Sequence, residues 1–347
     1  MTKGTDFIVW VGPGRHNAPV SGTDDGVRIV QRTLGGPDVL TAERAPVPPA
    51  GSGEIVVRTL AAAVNYSDLQ IRRGDWPIRR PDPWPYQPGL EVVGEVVAVG
   101  PGAVRFAPGD VVVSMMQGMG GVRAERPGGY AEFVALPADA AAPVPSAVDP
   151  VVAATVGLAG VTAQAGLERL GPLGGSTVLV TGASGGVGSM AVRIAAALGA
   201  RVLAVVSRPE RAGDLADAGA EIVPAGELDR FRGGCDAVLD AVAGPLFPAV
   251  VGALRPGGRY CLVGAAAGGN VIWDAFALLD GITLTGWSSE SLDGDGLRAV
   301  WRPLMTLVAD GRLPVPPPTV VPLAEAARAH RLLEDRVVSG RVLLTTR

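Results

Sequence analysis

The sequence predicts an α/β protein in which a parallel-sheet domain is inserted into a β-barrel-like domain built by both chain ends. Three observations carry that prediction. From about residue 27 to 145, short β-rich runs are separated by Gly and Pro, as in GEIVVRTLAAAV (53–64), EVVGEVVAVG (91–100) and GDVVVSM (109–115). Many short strands with frequent turn signals describe a compact barrel-like domain. From about 175 the rhythm changes to STVLVTG, GVGSMAVRIAAALG, ARVLAVVS and PERAGDLADAG, then to CDAVLDAV, PLFPAVVGAL, GRYCLVGAA and GITLTGWS. Strands alternating with helix-length segments mean βαβ units and a parallel sheet covered on both faces. Last, two amphipathic segments near 297–310 and 323–336 precede a closing apolar run, GRVLLTT, which needs a strand partner. The expected division is an extension or an added strand over 1–26, a β domain from 27–149 and 291–347, and a parallel-sheet domain over 150–290.

A length of 347 residues suits two domains, and 48% hydrophobic with 18% charged residues supplies two sizeable cores. A net charge of −4 offers no general attraction to nucleic acid or anionic lipid, so neither is an expected partner. Cys235 and Cys261 show no close pairing, which suits a reducing cytoplasm. No basic segment followed by an apolar core opens the chain, so no signal peptide is expected. The uncharged run at 151–167 is shorter than the ~20 residues of a membrane span. It reads as a buried helix of a soluble protein.

Residues 182–188 read G-A-S-G-G-V-G, after the apolar TVLVT and before a helix with Val187, Met190, Ala191, Ile194 and Leu198 on one face. A glycine run alone is weak evidence and fits any tight turn. Here strand, turn, helix and next strand follow in the order a dinucleotide site requires. Gly182, Gly185, Gly186 and Gly188 let backbone approach a pyrophosphate, with Ser184 and Val187 between them, and the helix start offers free N–H groups.

A site for NAD places Asp or Glu about 20 residues further on, to accept the ribose hydroxyls. This chain has Ser207 and Arg208 there, with Arg211 following. A hydroxyl and two guanidinium groups suit a 2′-phosphate, which a carboxylate would repel. The bland alternative is that both arginines solvate a helix start, although the helix dipole disfavours cations at that end. The expected cofactor is NADPH.

From Val27 to Arg347 the chain resembles the zinc-free quinone oxidoreductase (zeta-crystallin-like) and enoyl reductase branch of the medium-chain dehydrogenases/reductases. The resemblance rests on AAAVNYSDLQIRRGDW (61–76), PGLEVVGEVVAVG (88–100), GDVV (109–112), GGYAEF (128–133), the glycine turn and GRVLL (340–344). It implies a Rossmann domain inserted into a GroES-like catalytic domain, and a homodimer. Zinc alcohol dehydrogenases of the superfamily carry Cys where this chain has Asn65 and His where it has Leu90, and the four-cysteine loop is missing. His16 and His330 have no ligand spacing with a cysteine. The reading is therefore zinc-independent.

Without a Lewis acid, oxidation of an unactivated alcohol is implausible, whereas a quinone or α,β-unsaturated carbonyl accepts hydride at an already electrophilic carbon. By resemblance, Asn65 faces the cleft and donates to the substrate oxygen; the alternative is a loop-capping Asn. Tyr66 follows it. Asp68 looks structural, bonding backbone, with a proton relay as the lesser reading. Relatives carry tyrosines where this chain has Gln70 and Trp76, so Trp76 suggests a flat apolar substrate wall. Tyr86 and Tyr130 are replacement phenols, unless the Tyr130 hydroxyl is tied to backbone. Thr162 matches a residue near the nicotinamide, and Val263 and Gly264 would flank the ring. Arg341 either contacts cofactor or decorates the last strand. The apolar GITLTGWS (281–288) is the expected dimer edge. Two other functions stay open: a pathway enoyl reductase for polyketide-like or acyl-thioester intermediates, and a crystallin-like structural or RNA-binding role, against which the acidic charge speaks.

Overall fold

The computed structural model describes residues 25–76, 85–115, 125–338 and 340–346. Most of the expected N-terminal extension, with His16, lies outside the described residues. Its last two residues, Asp25 and Gly26, open the first strand and pair with Pro46 and Ala45. That strand, β1 (Asp25–Gln31), forms an antiparallel ribbon with β2 (Leu40–Pro46).

The catalytic-side sheet begins with β3 (Glu54–Val64), which leads into α1 (Tyr66–Arg73). β4 (Glu91–Val99), β5 (Val111–Met115), β6 (Phe133–Pro137) and β7 (Ala141–Pro143) follow. The long helix α2 (Pro150–Arg169) then crosses to the second domain, with Pro150 at its first turn and the Asp149 carboxylate accepting from Val151 N. Among the described residues it is the one helix long and apolar enough to span a bilayer, yet it is buried in the core.

Six parallel strands form the second sheet: β8 (Thr177–Val180), β9 (Arg201–Val206), β10 (Glu221–Pro224), β11 (Cys235–Asp240), β12 (Leu254–Leu262) and β13 (Thr283–Gly286). Between them run α3 (Gly186–Ala197), α4 (Gly213–Asp217) and α5 (Phe247–Gly252). The order is β10-β9-β8-β11-β12-β13. The direction of winding reverses between β8 and β11, and such a switch point opens a crevice at the carboxyl ends of the strands. This is a Rossmann domain. Buried Val, Leu and Ala in β8, β9 and β11 explain their continuous apolar runs, since both faces are covered.

The chain then returns to the first domain through α6 (Gly294–Ala309), β14 (Thr319–Pro322), α7 (Ala326–Glu334) and β15 (Val342–Thr345). The closing strand finds its partners there: β15 runs parallel to β14 and antiparallel to β3. The register sets Val342 against Val64 and Leu343 against Ala63. Arg341 therefore arrives beside Asn65, from the opposite end of the sequence.

Candidate active site

The glycine turn closes the carboxyl end of β8. Gly182 has φ +59, a conformation glycine adopts without penalty. A Cβ on Gly188 would stand 2.2 Å from the Gly182 carbonyl oxygen, so the helix start and the turn approach too closely for any side chain. The first turn of α3 leaves its N–H groups without helical partners, beside exposed Ser184 and Gly185. Buried Asp240 supports the turn from β11. It accepts from the Thr181 hydroxyl at 2.5 Å, the Tyr260 hydroxyl at 2.7 Å, and the backbone N–H groups of Val242 and Ala243. One carboxylate thus ties together the ends of β8, β11 and β12. Its carbonyl also accepts from Val263 N at 2.8 Å, which holds Val263 and Gly264 at the edge of the crevice.

A second buried carboxylate marks the domain junction. Glu91 Oε1 accepts from Asn65 Nδ2 at 2.9 Å and from Arg341 Nη2 at 2.7 Å. Arg341 Nη1 donates to Asn65 Oδ1 at 3.0 Å, which closes a triangle. All three side chains are buried. Glu91 Oε2 accepts from Leu158 N at 2.7 Å, where α2 is interrupted by Gly157 at φ +34 and ψ −142. The carboxylate thereby caps the half of α2 that carries Thr162. A Cβ on Gly157 would lie 2.0 Å from Glu91 Oε2, so this position is closed to other residues.

Arg341 joins this triangle to the cradle. Its Nη1 lies 3.0 Å from where a Gly186 Cβ would stand, and its buried Nε has no hydrogen-bond partner among the described residues. An unpaired buried guanidinium donor costs free energy unless a ligand supplies an acceptor. With the helix start and the closely approached glycines, it fits the pyrophosphate of a dinucleotide.

From Asn65 a chain of polar groups runs inward. Asp68 Oδ2 accepts from Asn65 N at 2.8 Å, and the Asp68 carboxyl also meets the Tyr130 hydroxyl. His330 Nδ1 lies 3.2 Å from Arg72 Nη1, and its Nε2 lies 3.3 Å from Tyr130 Oη. Arginine can only donate, so Nδ1 accepts and Nε2 carries the proton toward Tyr130. Tyr130 is then left to donate to Asp68. Arg72 continues to Glu334 at 3.0 Å. Burial pushes the Asp68 carboxyl up to about 7, against the bonds it accepts, and pushes His330 down to about 3. Tyr130 is therefore not a replacement phenol for substrate, and its partners are side chains rather than backbone. Tyr86 is likewise buried and pairs through its backbone with Gln31. His330, which has no ligand spacing with a cysteine, is a buried internal link between Arg72 and Tyr130.

The remaining predicted residues divide between the two ends of the crevice. Thr162 is buried on α2, one turn before Gly166, whose Cβ would stand 2.5 Å from Val263 Cγ1. Thr162 and Val263 therefore share one inner corner. Tyr66, the first residue of α1, is 41% exposed and bonds Arg73. Trp76 is half-buried beside the main core, and its Nε1 is buried without a partner among the described residues. At the outer end Ser207 and Arg208 are exposed just past β9. Among the described residues Arg208 has no ion-pair partner. The sequence placed Arg208 and Arg211 at a helix start. Arg208 instead precedes, and Arg211 closes, a three-residue 3-10 turn (Pro209–Arg211), and the helix proper begins only at Gly213. The dipole argument lapses there. The side chain of Arg211 lies outside the described residues. Sequence reasoning missed Glu91 and Asp240, each lying within an apolar strand run.

Fold, switch-point crevice and cradle together define a two-domain oxidoreductase of the nicotinamide-dinucleotide class. Residues 51–146 match the alcohol dehydrogenase GroES-like domain model, and residues 186–310 the zinc-binding dehydrogenase model. The chain belongs to the medium-chain dehydrogenase/reductase family, in its quinone and enoyl reductase branch. It is 28% identical to acryloyl-coenzyme A reductase of Metallosphaera sedula, covering 86% of this chain and 94% of that one. It is 31% identical over 95% of its length to a mycocerosic acid synthase-like polyketide synthase of Mycolicibacterium smegmatis, of which it spans 16%. Among solved structures, mycobacterial Rv1454c complexed with NADPH superposes with a TM-score of 0.79 at 34% identity, covering 92% of this chain and 99% of that one.

Proposed function

We propose that this protein is an NADPH-dependent, zinc-independent reductase that delivers hydride to the conjugated carbon of a quinone or α,β-unsaturated carbonyl. The observation that carries the proposal is the pair of residues, Asn65 and Leu90, that stands at the zinc-ligand positions at the inner end of the crevice. Where zinc-dependent relatives carry Cys and His, this chain has Asn65, whose amide is engaged by Glu91 and Arg341, and the buried apolar Leu90. Neither supplies a ligand for zinc, so an alkoxide has no Lewis acid to stabilise it. A conjugated acceptor needs only orientation, hydrogen-bond donors and a proton.

The reduced nicotinamide, when bound, supplies the hydride. The chain would hold the pyrophosphate against Gly185, Gly186 and Gly188, beside Arg341. Thr162, Val263 and Gly264 would border the nicotinamide at the inner corner. Ser207 and Arg208 present a hydroxyl and a cation, and no carboxylate, toward the adenosine ribose, which supports NADPH over NADH. Trp76 supplies a flat wall for a planar acceptor, with an indole N–H that has no partner among the described residues.

A second reading, an acyl-thioester enoyl reductase, is favoured by the similarity to acryloyl-coenzyme A reductase along nearly its whole length. Following NADPH oxidation with a benzoquinone, an alkenal and a crotonyl thioester separates the two. Preference for quinone or alkenal supports the first reading and preference for the thioester the second. Inactivity on all three contradicts conjugate reduction of simple acceptors.

We also propose a homodimer. β13 is the outermost strand of its sheet, and Ile272, Phe276 and Leu279 beside it are 93%, 76% and 81% exposed. An open apolar edge of this kind suits antiparallel pairing with its own two-fold copy. Light scattering at twice the 35.3 kDa chain mass supports it, and the monomer mass contradicts it.

A further inference from the structure

The NADPH reading leaves one buried cation without a task. Arg193 sits on α3, seven residues past Gly186, and its side chain is only 3% exposed. Burying a permanently charged group is unfavourable unless it is paired and hydrogen-bonded. Its guanidinium donates to the Ser189 carbonyl at 3.1 Å, to Asp214 Oδ2 at 2.7 Å and to the Asp214 carbonyl at 3.4 Å. It therefore grips both the side chain and the backbone of one residue.

Asp214 is the second residue of α4, three past Arg211. Between buried Val206 and buried Ala212 the chain forms a five-residue arch, Ser207 to Arg211, that stands out from the domain. β9 pins one foot of the arch. The other foot is pinned by Ala212, Leu215 and the Arg193–Asp214 clamp. The shape in which the arch presents Ser207 and Arg208 depends on both feet. Arg193 also neutralises the Asp214 carboxylate, which is half exposed and would otherwise oppose a phosphate beside the arch.

We infer that Arg193 is a positioning residue for cofactor selectivity, holding the arch in the form that receives a 2′-phosphate. The inference rests on the NADPH reading. It is tested by titrating NADPH and NADH against the full chain, wild type, Arg193→Met, Arg193→Lys and Arg208→Ala, using nicotinamide fluorescence. Arg193→Met should weaken NADPH about tenfold, leaving NADH within about twofold, and Arg193→Lys should recover most of the loss. Should the methionine variant fail to fold, Arg193→Gln serves in its place. A parallel loss of both cofactors, or no change in either, overturns the inference. Wild type binding both cofactors equally overturns the NADPH reading and this inference with it. If Arg208→Ala abolishes the preference and Arg193→Met leaves it intact, the clamp alone is wrong.

Discussion

The two ends of the crevice are built in opposite ways. At the inner end Asn65, Glu91 and Arg341 are buried and committed to one another, and every bond of Glu91 ties a different segment of the chain. At the outer end Ser207 and Arg208 stand in solvent on an arch held from behind. Buried charges that lose a partner are expensive, while exposed ones are screened and weakly coupled. The inner end is therefore inseparable from the fold. The outer end can change its ligand preference at little structural cost.

The sharpest way to break this contrast is Glu91→Ala. It strands the Arg341 guanidinium, uncaps Leu158 N and should cost about 3–5 kcal/mol of stability, with activity lost. Urea denaturation and a reductase assay check it, and a loss under 1 kcal/mol would show that the triangle is not coupled. Gly157→Ala should come next. It forces a Cβ into Glu91 at φ +34, at about 1–3 kcal/mol for the backbone strain, read as a fall in Tm.

Asp68 and His330 predict a pH signature. Folding raises the Asp68 carboxyl to about 7, so its contribution is full below about pH 4 and is lost as pH rises to 7. Folding lowers His330 to about 3, so its contribution is full above about pH 6.5 and is lost as pH falls to 3. Between pH 4 and 6.5 the two slopes oppose, each at most about 1.4 kcal/mol per pH unit. Asp68→Asn should remove one of them. The variant should then gain stability steadily from pH 4 to 6.5, where wild type is flatter. Matching curves would mean that Asp68 titrates as an ordinary carboxyl.

The outer end should show the smallest effect on stability and a clean effect on binding. Ser207→Asp should erode NADPH preference by about one to two orders of magnitude, and Arg208→Ala should weaken NADPH alone, both with Tm nearly unchanged. A large Tm loss in either variant would erase the contrast between the two ends.

The same contrast decides what the sequence could reveal. The cradle was legible because glycine spacing, strand and helix lie within one short stretch, where local rules act. The βαβ alternation and the closing strand were legible for the same reason. The triangle was not, because Asn65, Glu91 and Arg341 meet only through the pairing of β3 with β15 and with β4, and Glu91 opens an apolar strand run with no local mark of its task. Gly157 offered a signal, as a glycine inside a long apolar helix. What it accommodates is a carboxylate from another strand. The link between Tyr130 and His330 was not legible because its partners come from α1 and α7, far apart in sequence.

The central claim is that hydride reaches a conjugated carbon with no metal at the inner end. The direct measurement is turnover of NADPH after exhaustive chelation, with a quinone or enone and with a saturated ketone of similar size. The account predicts undiminished reduction of the conjugated acceptor and none of the ketone. Activity that disappears on chelation and returns with zinc, or equal turnover of the saturated ketone, would contradict it.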